Sequence, residues 1–149
     1  MSAPVGPNGQ TGKAAIRILV VDDFEGWHHF VTSILEKAPG LHVVCKVSDG
    51  SQAVQKAEEL KPDLIVLDIG LPKLNGIEAA RQIRQLSPTS KIVFLSQNNE
   101  HEVVRAALGI GALGYVHKTD ARSELLPAVY AVLLGEQFVS RSADGFRKT

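Results

Sequence analysis

The chain has 149 residues, 44% of them hydrophobic, and sixteen basic side chains balance sixteen acidic ones to a formal charge of zero. That length buries one good core and makes a single domain the expectation, while the neutral balance excludes the basic footprint of a nucleic-acid binder or of a protein held on an anionic membrane. The single Cys45 excludes an intramolecular disulfide framework, so it reads as a small core hydrophobe in a reducing compartment.

Residues 1–14 are rich in Gly, Pro and small polar side chains. They bury too little apolar surface to offset the entropy of ordering, and are expected to form a flexible N-terminal segment. They also lack the basic-then-apolar order of a signal peptide, and the longest apolar runs further on are strand-length. A soluble, cytoplasmic chain that engages no membrane is therefore expected. From residue 15 to residue 135, strand-like and helix-like patterns alternate five times, the signature of a parallel α/β sheet.

The first strand pattern is the apolar run Ile18 to Val21, followed by a helical stripe of Trp27, Val31, Ile34, Leu35 and Ala38. Trp27, Phe24 and Phe30 read as core residues, with the rim of a crevice as a second reading for Phe24. His28 and His29 are adjacent on this helix and point about 100° apart, which makes a shared metal ion a poor fit. Leu41, Val43, Cys45 and Val47 alternate with His42, Val44 and Lys46, as in an edge strand; Ala53, Val54, Ala57 and Leu60 then mark the second helix. Leu64 to Leu67 and Ile92 to Leu95 are continuous apolar runs that suit central strands covered on both faces.

Between those two runs lies a third helix with Ile77, Ala80 and Ile83, and after them a short fourth helix near Val103, Val104, Ala107 and Leu108 ends in the Gly109 to Gly111 turn. Leu113, Tyr115 and His117 alternate with Ala112, Gly114 and Val116, which predicts a second edge strand. A fifth helix with Leu125, Leu126, Val129, Val132 and Leu133 stops at Gly135. The fold expected is a flavodoxin-like (βα)5 three-layer sandwich with a parallel sheet of order 2-1-3-4-5. Residues 136–149 read as a C-terminal tail, too short and polar to hold another domain, so no output domain is expected within this sequence.

Four strand ends carry polar residues: Asp22 and Asp23, then Asp68, Ser96 and Lys118. In a parallel sheet these carboxyl ends lie along one edge and meet in one crevice. Asp22 and Asp23 suit a hard cation held through oxygen ligands, or a helix cap; two adjacent like charges that need a counter-ion favour the cation. Asp68 could open a turn ahead of Gly70, Pro72 and Gly76, or act beside a divalent cation as a nucleophile on a phosphoryl donor. Ser96 and Lys118 are weak signals singly. Together they offer a hydroxyl and an ammonium to the oxygens of one phosphoryl group. Gly50, Gly70 and Gly76 do not make a dinucleotide-binding fingerprint.

This set of residues, over about residues 16–135, resembles the receiver domain of two-component response regulators. The stretches DIGLPKLNGIEAARQIR and GALGYVHKTDARSELLPAV look most like receivers of the NarL/FixJ/LuxR class, in which the receiver is usually joined to a helix-turn-helix domain. The resemblance implies that Asp68 is the phosphoacceptor and that Asp22, Asp23, Asp68 and the carbonyl of Gly70 position Mg²⁺. It makes Ser96 the switch hydroxyl, Tyr115 the switch aromatic and Lys118 the phosphate-sensing lysine. It further implies a sensor histidine kinase or phosphotransfer protein as partner and a signalling switch rather than an enzyme.

The chain departs from the family pattern at two places. Thr119 follows Lys118 where proline is common, so a cis peptide is not carried over, and Gln97 follows Ser96 where a smaller residue is common. Gln97 supports an alternative reading, a receiver-like interaction module that works without phosphorylation. A haloacid-dehalogenase-type phosphatase needs a D-x-D motif after the first strand, and Asp22-Asp23-Phe24-Glu25 does not match it. A homodimer through exposed faces of the fourth and fifth helices is the expected form of self-association.

Overall fold

A computed structural model describes residues 15–144. In chain order it holds β1 (Ile16–Val21), α1 (Glu25–Leu35), β2 (Leu41–Val47), α2 (Gly50–Leu60), β3 (Leu64–Leu67), α3 (Gly76–Leu86), β4 (Lys91–Ser96), α4 (His101–Gly109), β5 (Gly114–His117), α5 (Ala121–Leu133) and β6 (Phe138–Val139). One parallel sheet has the order β2-β1-β3-β4-β5-β6, which contains the expected 2-1-3-4-5 arrangement and extends it by a strand.

Strand alternation splits the core into two layers. Ile18, Val20, Leu64, Val66, Val93, Leu95 and Val116 pack against Val31 and Leu35 of α1 and against Leu125, Val129 and Val132 of α5. Their neighbours Leu19, Val21, Ile65, Leu67, Ile92, Phe94 and Tyr115 pack on the opposite face against residues of α2, α3 and α4. Successive side chains of a strand point to opposite faces, so a strand buried on both sides must be apolar throughout. This is why Ile18–Val21 of β1, Leu64–Leu67 of β3 and Ile92–Leu95 of β4 are unbroken apolar runs. Cys45 is half-buried against the second of these layers, in line with its reading as a small hydrophobe.

Local chemistry sets where the helices begin and end. Asp49 caps α2 by accepting from the Gln52 amide at 2.8 Å, and Asn75 caps α3 by accepting from the Glu78 amide at 3.0 Å. Gly135 ends α5 in the left-handed region at φ +86°, where its amide donates to the Val132 carbonyl and the Glu136 amide to that of Ala131.

One expectation is corrected. The alternating pattern of β5 predicts an edge strand, but Phe138 and Val139 pair with Gly114 and Tyr115 on its outer side. The Phe138 amide donates to the Leu113 carbonyl and the Ser140 amide to that of Tyr115, both at 2.9 Å. Ser140 is fully buried and its hydroxyl accepts from the His117 amide at 2.8 Å; Ala143, in the 3₁₀ turn Arg141–Ala143 that follows, is buried against the core. A two-residue strand is too short to show a periodicity, so nothing in its pattern announces it.

Candidate functional site

The carboxyl ends of β1, β3, β4 and β5 open onto a cleft of about 610 Å³. Among its lining residues are Asp22, Asp23, Asp68, Gly70, Ser96 and Lys118, each supplied by a strand end or by the loop that follows it. The tertiary structure thus brings together every predicted site residue except Tyr115. That ring is fully buried beneath the β4–α4 loop, and its hydroxyl donates to the Asn98 carbonyl from the core side. Burial pushes the Tyr115 hydroxyl up to about 12, so it stays protonated and a donor at neutral pH.

Lys118 sits in the 3₁₀ turn Lys118–Asp120 after β5, and only 9% of its surface is exposed. Its Nζ lies 2.7 Å from Asp22 Oδ2 and 3.2 Å from Asp68 Oδ2. A buried ammonium needs partners, and these two carboxylates supply them. The second oxygen of each carboxylate is also engaged: Asp22 Oδ1 accepts from the Phe24 amide at 3.0 Å, and Asp68 Oδ1 from the Ile69 amide at 2.7 Å. The Asp22 bond closes the turn into α1 and does not reach the first-turn amides of the helix, so the capping alternative takes the form of a turn. Burial raises the Asp68 pKa above its ordinary value; the Lys118 ammonium opposes that rise and the Asp22 carboxylate adds to it.

Oxygen atoms of Asp22, Asp23 and Asp68 all lie within 4.8 Å of one another, with Asp23 the exposed member. Three hard oxygen donors at that spacing, with the wet side of the cleft left open, fit a small divalent cation that keeps several waters. Ser96 is buried at the end of β4, where its hydroxyl accepts from the Asn98 amide at 3.0 Å.

The loop after Asp68 depends on close backbone approach. The Gly76 amide donates to the Ile69 carbonyl at 2.7 Å, and a Cβ at Gly76 would lie 2.0 Å from the Asp68 carbonyl oxygen. Only glycine fits there. Gly50 is equally tight, with the Leu74 carbonyl oxygen 1.8 Å from where its Cβ would stand.

The structure resolves several further sequence expectations and alters one, that of Trp27. Phe24 is 63% exposed at the rim of the cleft, which settles its two readings in favour of the rim. Trp27 belongs to the cleft wall and not only to the core: its ring centroid is 4.7 Å from Lys118 Nζ. A stripe of apolar residues at helical spacing hides that role, because the position at the N-terminal end of α1 next to the strand edge is a tertiary fact. His28 is buried with Nε2 3.0 Å from the Val47 carbonyl, whereas His29 is exposed, so the pair does not converge on one ion. Gln97 lines the mouth with an exposed side chain, and its carbonyl lies 2.9 Å from His117 Nε2. Among the described residues no peptide bond is cis, that of Thr119 included.

No helix of the described residues is long and apolar enough to cross a membrane. The family model of the response regulator receiver domain matches residues 18–130. The transcriptional regulatory protein DegU of Brevibacillus brevis is 35% identical over 132 residues, covering 89% of this chain and 56% of that protein. The nitrate/nitrite response regulator protein NarL of Escherichia coli is 37% identical over 125 residues, covering 84% and 58%. The chain thus spans little more than half the length of these relatives. A crystal structure of a two-component response regulator of the LuxR family from Aurantimonas superposes with a TM-score of 0.84 at 31% identity, over 91% of this chain and all of that one. With a matching family model, matching relatives and a matching solved fold, the chain belongs to the response regulator receiver domain family.

Proposed function

We propose that the chain is a phosphorylation-dependent signalling switch in which Asp68 accepts a phosphoryl group from a sensor histidine kinase or a phosphotransfer protein. The observation that carries this reading is the placement of the Lys118 ammonium between Asp22 and Asp68 in an open cleft that Ser96 also lines. Such a set can hold a nucleophilic carboxylate, a cation and the oxygens of a transferred phosphoryl group at once. Asp22, Asp23, Asp68 and the Gly70 carbonyl would hold Mg²⁺, which would supply charge neutralisation for the phosphoryl oxygens.

In the transfer, an Asp68 carboxylate oxygen attacks phosphorus, and the phosphorus bond to the donor's imidazole nitrogen, or to the acetate oxygen of acetyl phosphate, breaks. The leaving group takes that bonding pair. Asp68 becomes an acyl phosphate and can no longer serve Lys118 as a bare carboxylate. Lys118 turns to a phosphoryl oxygen, and Ser96 donates its hydroxyl proton to another. The β4–α4 loop follows Ser96 through the Asn98 amide, and Tyr115 follows the same loop through the Asn98 carbonyl. The outcome is a population shift between two arrangements of the face formed by α4, β5 and α5. Residues 15–135 form the receiver body in this reading, and the segment after them adds β6 to its sheet.

Intact-protein mass after incubation with acetyl phosphate and Mg²⁺ tests the assignment. The native chain is expected to gain one phosphate and Asp68→Asn none. Labelling that persists in Asp68→Asn would place the acceptor elsewhere, and a folded native chain that takes no phosphate would favour an interaction module that works without it.

A further inference from the structure

The cleft contains an aromatic contact that the transfer chemistry above leaves unused. Trp27 presents its ring to Lys118 Nζ, with the ammonium 4.7 Å from the ring centroid. The indole is itself braced, since Phe30, one helical turn on, meets it edge to face at 5.2 Å and 90°. Phe30 in turn carries the Arg122 guanidinium 5.3 Å from its ring, which ties the stack to the first turn of α5. The sequence of groups is cation, ring, ring, cation, running from the floor of the cleft to the outer layer of helices.

We propose that Trp27 is a positioning residue for Lys118, holding its ammonium over the indole face so that it meets the phosphoryl group on Asp68. The inference rests on the receiver reading of the site. A lysine side chain has four rotatable bonds and loses much rotamer freedom when its head is fixed. The carboxylates of Asp22 and Asp68 hold the head from two sides, and the Asp68 contact lasts only while that carboxylate is charged and unmodified. Phosphorylation removes Asp68 as a bare carboxylate and leaves Asp22, so a second restraint on the side chain limits how far the ammonium moves as it turns to the phosphoryl oxygen. An aromatic face provides one, because its attraction for a cation is electrostatic and strengthens where water is excluded.

Trp27 is the only tryptophan in the sequence, so its fluorescence reports the contact directly. In the unlabelled protein, Lys118→Ala is expected to change the Trp27 emission, and an unchanged spectrum would overturn the contact. Initial rates of labelling by acetyl phosphate and Mg²⁺ then test its role. Trp27→Leu, which keeps apolar bulk and loses the ring face, is expected to label about three- to tenfold more slowly than the native chain. Trp27→Phe is expected to recover most of that loss, and in a Lys118→Ala background the Trp27 substitutions should cease to matter. A Trp27→Leu chain that labels at the native rate overturns the inference, as does a Phe variant no faster than the Leu variant. So does an equal slowing by Trp27→Leu with and without Lys118, which would mean that the indole acts on the donor independently of the lysine. Absence of labelling in the native chain would remove the receiver reading itself, and this inference with it.

Discussion

Asp68 is held by two opposing forces, and their balance is measurable. Desolvation by burial favours its neutral form, while the Lys118 ammonium 3.2 Å away favours its charge. The net effect raises the folded-state pKa above that of the unfolded chain. A raised carboxylate pKa means that the native state binds the proton more tightly, so the stability it contributes is present in acid and is lost as the pH rises through the folded-state value. At neutral pH the ionised carboxylate is then a cost to the fold. Without divalent cations, Asp68→Asn is expected to melt at a higher temperature than the native chain at neutral pH, with the gain shrinking as the pH falls through the carboxylate range. Lys118 keeps Asp22 at 2.7 Å in that variant, so it is not left unpaired. A lower melting temperature at neutral pH would show that attraction to Lys118 outweighs desolvation.

Among the elements, the loop from β3 to α3 couples the acceptor carboxylate to the packing of a helix. The first residue of α3, Gly76, passes so close to Asp68 and Ile69 that an added Cβ would stand 2.0 Å from one carbonyl oxygen and 2.7 Å from the Ile69 Cα. Both obstacles are backbone and cannot rotate away. Gly76→Ala is expected to destabilise the protein by roughly 2–4 kcal/mol, read from the urea midpoint, with the loop displaced to relieve the clash. An unchanged midpoint would mean that the loop yields freely. The elements themselves were legible in the sequence because their periods were: the Ile18–Val21, Leu64–Leu67 and Ile92–Leu95 runs, and the apolar spacings of α1, α2 and α3. β5 was legible as a strand but not as an interior one, since its alternation reflects Gly114 against Val132 and the half-buried His117 beside Gln97, not an open edge.

For the whole molecule, the segment after α5 completes the sheet beside the cleft. Ser140 holds the His117 amide one residue before Lys118, and the Ser142 amide and hydroxyl donate to the Asp120 carboxylate two residues after it, at 2.8 and 2.9 Å. Hydrogen bonding to Ser142 and Ser140, and the charge of His117, hold the Asp120 carboxyl below its ordinary range against a desolvation that acts the other way. Ending the chain at Gly135 is expected to cost roughly 2–4 kcal/mol in urea unfolding, through the lost burial of Val139 and Ala143 and the unpaired outer groups of β5. A truncated chain of native stability would show that β6 adds nothing to the sheet.

The sequence by itself determined the order of strands and helices, the two apolar layers, and the polar residues at the strand ends. It could do so because periodicity and strand-end position are local properties, and a parallel sheet converts them into convergence at one edge. Only the tertiary structure decided that Lys118 Nζ lies between Asp22 and Asp68, that Trp27 turns its ring to that ammonium, and that a two-residue strand closes the side of β5. Each of these joins residues that are distant in the chain, and distances between side chains are set by how the layers pack, which no local pattern encodes.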